Sequence, residues 1–305
     1  MGFVNTRLIL KEVARKNIAV GAYNVYNLET AKSIIETCNT MGIPAIIQLS
    51  EGAIKYGGGE TLAKLIINLA ERTNVPISLH LDHGKSKDVV IQAIRWGFSS
   101  VMIDASSLPF EGNLKLTKEV VEICKPAGVT VEAELGKIGG TEENISVSKR
   151  EAFLVDPEEA EIFVKETGID FLAPAIGTSH GAFKFKGEAT LAIDRLKEVK
   201  KRTNIPLVLH GASSLPEWLL REAKKSGIQI PGAKGLPYEE LQKAVKNGIN
   251  KVNTDTDIRI AFLTGMRNYL FGHPDIIDPR KAFLEGMLWI SRIVKERNEK
   301  IYLLK

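Results

Sequence analysis

Residues 77–84 read ISLHLDHG, an apolar run that carries two histidines and an aspartate. Two further stretches follow the same plan, because residues 206–211 read PLVLHG and residues 171–181 read FLAPAIGTSHG. The chain has five histidines, and His83, His180 and His210 lie just beyond predicted strands. In a closed parallel barrel the carboxyl ends of all strands meet at one mouth, where active sites lie. Three imidazoles that meet there are typical of a catalytic zinc site with one position open for substrate.

Short β-branched runs alternate with longer amphipathic runs along nearly the whole chain. The predicted strands are Val20–Tyr23, Ala45–Leu49, Ile77–Leu81, Val101–Ile103, Thr130–Glu134, Phe171–Ala175, Leu207–Leu209 and Lys251–Asn253. The predicted helices are Leu28–Met41, Leu62–Thr73, Ser86–Trp96, Leu114–Ala127, Pro157–Thr167, Ala192–Arg202, Pro216–Ser226 and Tyr238–Lys246. This alternation predicts an α/β fold, a (β/α)8 TIM barrel formed by one domain over residues 1–305. An open doubly wound sheet fits less well, because no G-x-G-x-x-G follows the first strand.

The composition excludes several classes of protein. The net charge of +4 is mild and forms no basic stripe, so we expect no nucleic-acid partner, whereas a small anionic metabolite fits. No long apolar run predicts a membrane span, and no signal peptide is recognisable. The two cysteines, Cys38 and Cys124, fall in predicted helices, which favours reduced thiols in a cytoplasmic protein. The basic stretch from Asp278 to Lys305 is predicted to be a C-terminal helical extension that packs on the barrel or on a partner subunit.

The predicted strands end in polar residues, although interior strand positions are usually apolar. These residues are Asn24, Ser50, Asp82, Asp104, Glu132, Glu134, Asn253 and Asp255. Asn24 and Asp104 could instead cap the following helices. His80 shares a strand face with Asp82 and is interpreted as a hydrogen-bonding support or as a core histidine. Glu132 and Glu134 also share a face, where they need a metal, a metal-bound imidazole or a lysine as partner, or form a buried ion pair without a catalytic role.

The loops after the last strands are rich in small and hydroxyl-bearing residues. Residues 177–181 read GTSHG, residues 210–214 read HGASS and residues 253–256 read NTDT. Glycine lets backbone N–H groups approach an anion, and loops after the seventh and eighth strands usually form the phosphate site of this fold. Lys184, Arg259 and Arg280 could add charge-assisted hydrogen bonds. The segment from Gly136 to Lys149 is predicted to be a mobile loop over the mouth.

With these motifs the sequence resembles the class II, metal-dependent fructose-1,6-bisphosphate aldolases over nearly its whole length. The resemblance rests on H-x-D-H-G at residues 80–84, VEAELG at 131–136, GGTE at 139–142, GTSHG at 177–181, HGAS at 210–213 and NTDTD at 253–257. Each motif alone would be weak, but all of them in this order are highly specific. The resemblance implies reversible cleavage of fructose 1,6-bisphosphate to dihydroxyacetone phosphate and glyceraldehyde 3-phosphate, with zinc stabilising the enolate.

The resemblance also implies roles for individual residues. The zinc ligands would be His83, His180 and His210, and an alternative, inward metal position would contact Asp104 and Glu134. Asp82 would be the acid/base at the C4 hydroxyl, and Glu142 would move the C3 proton of dihydroxyacetone phosphate. One phosphate would be bound by Gly181, Gly211, Ser213, Asp255 and Thr256, with Lys184 nearby. The rest of the substrate would be contacted by Asn24, Ser50, Asn253, Arg259 and Arg280. A monovalent cation, Na⁺ or K⁺, held by backbone carbonyls near Gly181 and Gly211, is also typical.

Three other functions remain open at this point. A tagatose-1,6-bisphosphate aldolase would share the metal and mechanism, but Ser213-Ser214 and Asp278-Pro279-Arg280 favour the fructose enzyme. A Schiff-base aldolase would use Lys251 as nucleophile, yet that mechanism does not need three histidines. A non-catalytic sugar-phosphate-binding protein would not need Asp82 and Glu142. Because Arg280 lies beyond the eighth strand, it is predicted to reach a neighbour's mouth in a homodimer or homotetramer.

Overall fold

The chain forms a closed parallel barrel, and the computed structural model describes residues 1–136, 139–140, 154–180 and 190–301, with 139–140 and 179–180 described by their backbone alone. The barrel strands are β2 (Val20–Asn24), β3 (Ala45–Ser50), β4 (Pro76–Gly84), β5 (Ser100–Ile103), β6 (Thr130–Leu135), β8 (Phe171–Pro174), β10 (Leu207–Leu209) and β11 (Ile249–Thr254). Each pairs in parallel with the next, and β4 pairs with both β3 and β5, which closes the ring. The predicted (β/α)8 barrel is therefore confirmed.

The other elements surround this ring. Three two-residue strands are β1 (Gly2–Phe3), β7 (Gly139–Gly140) and β9 (Ser179–His180). The helices are α1 (Thr6–Arg15), α2 (Leu28–Met41), α3 (Glu51–Gly57), α4 (Gly59–Glu71), α5 (Lys87–Arg95), α6 (Phe110–Cys124), α7 (Pro157–Thr167), α8 (Ile193–Thr203), α9 (Glu217–Lys225), α10 (Tyr238–Lys246), α11 (Thr256–Gly272) and α12 (Pro279–Ile301). None of the described helices has the length and apolar character needed to cross a bilayer.

Two separate apolar layers hold the barrel together. The larger layer lies between the strands and the surrounding helices. The smaller one fills the barrel interior with residues such as Ile46, Phe171 and Val208, and it includes Ile9, Leu10 and Val13 of α1. Helix α1 therefore closes the bottom of the barrel, so the polar strand ends at the opposite side are the accessible ones. This helix is not among the helices predicted from the sequence.

The C-terminal extension was predicted to pack on the barrel or on a partner subunit, and in the structure it packs on the barrel. Helix α12 contacts α2, α11 and strand β2. Two polar residues of α12, Arg297 and Asn298, are fully buried. Asn298 accepts a hydrogen bond of 2.9 Å from the hydroxyl of Tyr23, next to the last residue of β2. The last described helix therefore reaches the strands that build the mouth.

Candidate active site

Strand β4 ends irregularly, and this irregularity brings two neighbouring side chains to one place. Successive residues of a regular strand point to opposite faces. His83, however, has a left-handed backbone with φ of 52°, and the pairing with β5 shifts register between Leu81 and Gly84. Such a bulge redirects a side chain. As a result, His83 Nε2 lies 3.9 Å from an oxygen of Asp82. The strand also runs to Gly84, three residues beyond its predicted end.

A second feature of the mouth is a group of side chains that could hold a metal ion. His83, Glu134 and His210 each offer one ligand atom, and these atoms lie within 4.8 Å of one another. The two imidazole rings are 4.7 Å apart between centroids. Nitrogen and carboxylate oxygen ligands suit zinc, so the residues fit the ion that the sequence predicted. The structure describes His180 by its backbone alone, so the third predicted histidine ligand lies outside the described side chains.

His83 is held by residues of the next strand end. Its Nδ1 lies 2.8 Å from Asp104 Oδ2, which also accepts a 2.7 Å hydrogen bond from Lys85 Nζ. The other oxygen of Asp104 accepts bonds from the backbone N–H and the hydroxyl of Ser106. Burial opposes ionisation of Asp104, but these bonds and the charges of His83 and Lys85 outweigh it and lower its pKa. Asp104 therefore does not cap helix α6, and Lys85 is a contributor that the sequence motifs did not indicate.

Asp82 is buried at the mouth and is held by two amide side chains. Asn24 donates to one carboxylate oxygen at 2.7 Å, and Asn253 donates to the other at 3.4 Å. Asn24 in turn accepts a 2.9 Å hydrogen bond from Gln48, a residue that the sequence motifs also left out. Burial acts to raise the pKa of Asp82, but the charges of His83 and Lys251 outweigh it and hold the pKa below its ordinary value. The group is thus a carboxylate that can accept a proton.

Asn24 was also a candidate for capping the helix after β2. The side chain of Asn27 takes that position, because it accepts a 3.0 Å hydrogen bond from the N–H of Thr30 at the start of α2. The capping alternative for Asn24 is therefore wrong. Ser50 does cap a helix, since its hydroxyl accepts a 3.2 Å bond from the N–H of Ala53 in α3.

Below the mouth lies a fully buried set of charged residues. Glu132 accepts a 2.7 Å hydrogen bond from His210 Nε2 and a 2.9 Å bond from Lys251 Nζ. The other nitrogen of His210 lies 2.9 Å from Glu134. Burial opposes the charged imidazolium, but the bonds to both glutamates outweigh it and raise the pKa of His210 to about 10. The two glutamates thus contact an imidazole, and Glu132 also contacts a lysine, two of the kinds of side chain expected as their partners.

Lys251 and His80 complete this buried set. The ammonium of Lys251 also donates to Asn253 Oδ1 at 2.9 Å, so one lysine orients supports of both His210 and Asp82. A cation engaged in two buried bonds is a poor nucleophile, which argues against a Schiff base at this position. His80 is fully buried, with Nδ1 2.7 Å from the hydroxyl of Ser100 and Nε2 3.4 Å from Glu132. Its position fits a support rather than a metal ligand.

The loop after β10 and the start of α11 form the other side of the mouth. Gly211 has a left-handed backbone with φ of 57°, and the side chain of Ser213 is buried. Helix α11 begins at Thr256, directly after Asp255. Arg259 donates to Asp255 at 2.7 Å and remains exposed. Helix N-termini and glycine-rich loops offer free N–H groups to anions.

Some predicted site residues lie outside the described residues, and one described residue, Arg280, lies away from this arrangement. Glu142, Gly181 and Lys184 lie outside the described residues, as does most of the predicted mobile loop. Arg280 lies at the start of α12 with a side chain that is 83% exposed, and it pairs with Asp278 at 2.8 Å. In the described part of the chain, its hydrogen bonds go to Asp278 alone.

Comparison with known proteins agrees with this geometry. The family model described as class-II fructose-bisphosphate aldolase matches residues 4–302. Fructose-bisphosphate aldolase from Helicobacter pylori strain ATCC 700392 / 26695 is 50% identical over 290 residues, which cover 95% of this chain and 94% of the relative. The enzyme of the same name from Thermus caldophilus is 45% identical over 291 residues, 95% of each chain. The crystal structure of the YdjI aldolase from Escherichia coli K12 superposes with a TM-score of 0.80 at 28% identity, covering 98% of this chain and 97% of that one. The resemblance is thus confirmed over residues 4–302, and the chain belongs to the class II fructose-bisphosphate aldolase family.

Proposed function

We propose that the protein cleaves fructose 1,6-bisphosphate reversibly to dihydroxyacetone phosphate and glyceraldehyde 3-phosphate. The observation that carries this proposal is the position of Asp82, a buried carboxylate 3.9 Å from His83 of the metal-ligand group. Cleavage of a carbon–carbon bond next to a carbonyl needs an electrophile at the carbonyl and a base at the hydroxyl. The family to which the chain belongs supplies the substrate class.

The metal of this proposal is zinc, held by His83, His180 and His210, and an alternative, inward position is proposed to contact Asp104 and Glu134. A bound zinc ion would supply Lewis-acid polarisation of the substrate's oxygen atoms. Asp104 fixes the ring of His83, and Glu132 accepts from Nε2 of His210, whose Nδ1 lies 2.9 Å from Glu134 of the metal-ligand group. Such outer partners set the orientation and basicity of ligand imidazoles.

Asp82 is the proposed acid/base at C4. In the cleavage direction its carboxylate takes the C4 hydroxyl proton while the C3–C4 bond breaks, and it returns the proton during condensation. Asn24 and Asn253 hold both of its oxygens and so fix its orientation toward the substrate. Glu142, outside the described residues, is the proposed group that moves the C3 proton.

The C1 phosphate is proposed to bind between the loop after β10 and the start of α11. The proposed phosphate contacts are Gly211, Ser213, Asp255 and Thr256, together with Gly181 and Lys184, which lie outside the described residues. The amide groups at the start of α11 and the hydroxyl of Ser213 are suitable donors to phosphate oxygens. Asn24, Ser50, Asn253 and Arg259 are the proposed contacts to the remaining substrate atoms.

Two further parts of the proposal concern the surroundings of the site. A monovalent cation, Na⁺ or K⁺, is proposed near the carbonyls of Gly181 and Gly211, close to the bound phosphate. A cytoplasmic location is proposed because Cys38 and Cys124 are free and buried, as is usual in a reducing compartment.

The assembly is proposed to be a homodimer or homotetramer in which Arg280 of one subunit binds the C6 phosphate in a neighbour's site. The side chain of Arg280 points to solvent and would be available to a second subunit. Large exposed apolar side chains lie nearby in sequence, with Phe271 72%, Ile277 96% and Leu284 58% exposed. Surface of this kind is typical of protein–protein contacts.

The decisive experiment compares initial rates of cleavage on fructose and tagatose bisphosphates, with and without a chelator. We expect a clear preference for the fructose substrate, complete loss of activity on chelation and recovery with zinc or cobalt. Treatment with borohydride in the presence of substrate controls for a Schiff base on Lys251 and should leave activity intact. Full activity of the metal-free protein would overturn the proposal.

A further inference from the structure

Arg297 is the largest fully buried side chain in the described part of the protein. It lies near the end of helix α12, far from the mouth in sequence. A buried guanidinium is costly unless its donors and its charge are compensated, and Nε of Arg297 has no hydrogen-bond partner among the described residues. The contacts of the guanidinium therefore indicate the role of Arg297.

The guanidinium of Arg297 binds the loop that follows strand β10. Nη1 donates to the hydroxyl of Ser214 at 2.8 Å, and Nη2 donates to the carbonyl of Ala212 at 3.0 Å. Nη1 also lies 3.5 Å from a carboxylate oxygen of Asp257, which balances its charge. Arg297 thus contacts the loop on both sides of Ser213, without being part of it.

The side chain of Asp257 binds the backbone of the same loop. Its two oxygens accept hydrogen bonds from the N–H groups of Ser214, at 3.2 Å, and Leu215, at 2.7 Å. Leu215 has φ of 46°, a left-handed conformation that is unfavourable for a branched apolar residue. Strained backbone of this kind persists only where its surroundings hold it in place.

The opposite side of the loop is fixed by the chain before α10. The N–H of Leu236 donates to the carbonyl of Ser213 at 2.8 Å. Gly235 packs so closely that a Cβ there would meet the carbonyl carbon of Ser214 at 2.1 Å. The loop is therefore held from two sides, and Arg297 with Asp257 forms one of them.

We propose that Arg297 is a positioning residue for the phosphate subsite, acting with Asp257 to preorganise residues 211–215. This rests on the proposed function, because it assigns the C1 phosphate of dihydroxyacetone phosphate to Gly211 and Ser213. Donors that are already in place when the ligand arrives bind it without a further ordering cost. Loss of the contacts of Arg297 and Asp257 with this loop should therefore raise the KM for dihydroxyacetone phosphate more than it lowers kcat.

The test measures the condensation reaction, in which the two substrates have separate KM values. The variants are Arg297→Met, Arg297→Lys, Asp257→Asn and Ser214→Ala, each assayed with zinc content and the midpoint of thermal unfolding. Ser214→Ala removes only the hydroxyl that accepts from Arg297, so it keeps the test valid if Arg297→Met does not fold. Arg292→Met is the matched control, because Arg292 is an exposed arginine of the same helix that stacks on Trp218.

We expect Arg297→Met to raise the KM for dihydroxyacetone phosphate about tenfold, with kcat and the KM for the aldehyde changed less than about threefold. Arg297→Lys should recover part of the loss, since it keeps the charge but not the planar fork. Unchanged KM values in Arg297→Met and Ser214→Ala, with only a lower unfolding temperature, would overturn the inference. Ser213→Ala separates this from the proposed function, because an unchanged KM in that variant would instead refute the phosphate assignment itself.

Discussion

Asp82, Asp104 and Glu132 are three buried carboxylates, and each has different partners. Asp104 and Glu132 each contact a cation and an imidazole, so their oxygens are engaged in support. Asp82 is held mainly by neutral amides, which orient it without neutralising it. At the scale of single residues, partners decide which carboxylate is free to exchange a proton with the substrate.

Replacement of Asp82 by alanine should therefore lower kcat by roughly 10²-fold or more, the usual scale for a lost general acid/base. The metal-ligand group does not include Asp82, so zinc content should stay at the wild-type level. Steady-state kinetics with metal analysis on the same preparations checks this, with Asp88→Ala, an exposed aspartate, as control. Loss of zinc with unchanged kcat per bound ion would make Asp82 a metal support instead.

The buried imidazole of His80 should make the free energy of unfolding decrease as the pH falls. Burial and the nearby charge of Lys251 lower the pKa of His80 to about 3, whereas an unfolded histidine titrates near about 6.5. Between these values the unfolded chain binds a proton that the folded chain does not. The free energy of unfolding therefore falls as pH decreases through this range, by at most about 1.4 kcal/mol per pH unit.

His80→Gln removes this dependence while keeping a side chain that can bond to Ser100. Urea unfolding midpoints of both proteins between about pH 6.5 and 5, above the range in which carboxylates titrate, measure the effect. The unfolding midpoint of the variant should decrease less with falling pH than that of the wild-type protein. Identical slopes in the two proteins would mean that His80 carries a proton in the folded state.

At the scale of elements, the end of strand β4 gives a separate prediction. A Cβ on Gly84 would lie 2.8 Å from the carbonyl oxygen of Met102 in β5. Relief of this clash would require a shift of the strand backbone, which is energetically costly. Gly84→Ala should force apart the strand end that directs His83, lowering the free energy of unfolding by about 1–3 kcal/mol and weakening zinc binding. Chelator competition and urea unfolding test both effects.

The matched control is Gly112→Ala in helix α6, where a Cβ would meet Leu108 at an ordinary 3.4 Å. This variant should keep zinc affinity and stability close to wild type. If Gly84→Ala binds zinc as tightly as Gly112→Ala does, the strand end does not set the position of His83.

The eight barrel strands and most helices could be predicted from their hydrophobic periods, but α3 and α11 are not among the predicted helices. The bulge at His83 could not, since strand alternation places Asp82 and His83 on opposite faces. Helix α1 was missed although Ile9, Leu10 and Val13 form an apolar face, because no strand precedes it in the repeating pattern. The nature of the mouth was predictable from its motifs, but Gln48 and Lys85 belong to no motif and only proximity identifies them.

For the whole molecule, the exposed position of Arg280 leads to a prediction about assembly. Arg280→Ala should raise the KM for fructose 1,6-bisphosphate and have much less effect on a substrate without the C6 phosphate. Arg280→Lys should behave similarly, because an ammonium lacks the planar fork that matches phosphate. Sedimentation at the assay concentration should show a dimer or tetramer. A fully active monomer, or equal losses on both substrates, would exclude a shared site.

The hydrogen bonds from Arg297 to the loop after β10 also bear on folding of the protein during translation. The strands of the barrel leave the ribosome before helix α12 does, and the N-terminal parts of a protein generally fold first during synthesis. The loop with its strained Leu215 therefore lacks the hydrogen bonds of Arg297 until residue 297 has left the ribosome. A nascent chain stalled before residue 297 would therefore lack the two hydrogen bonds that Arg297 donates to the loop after β10.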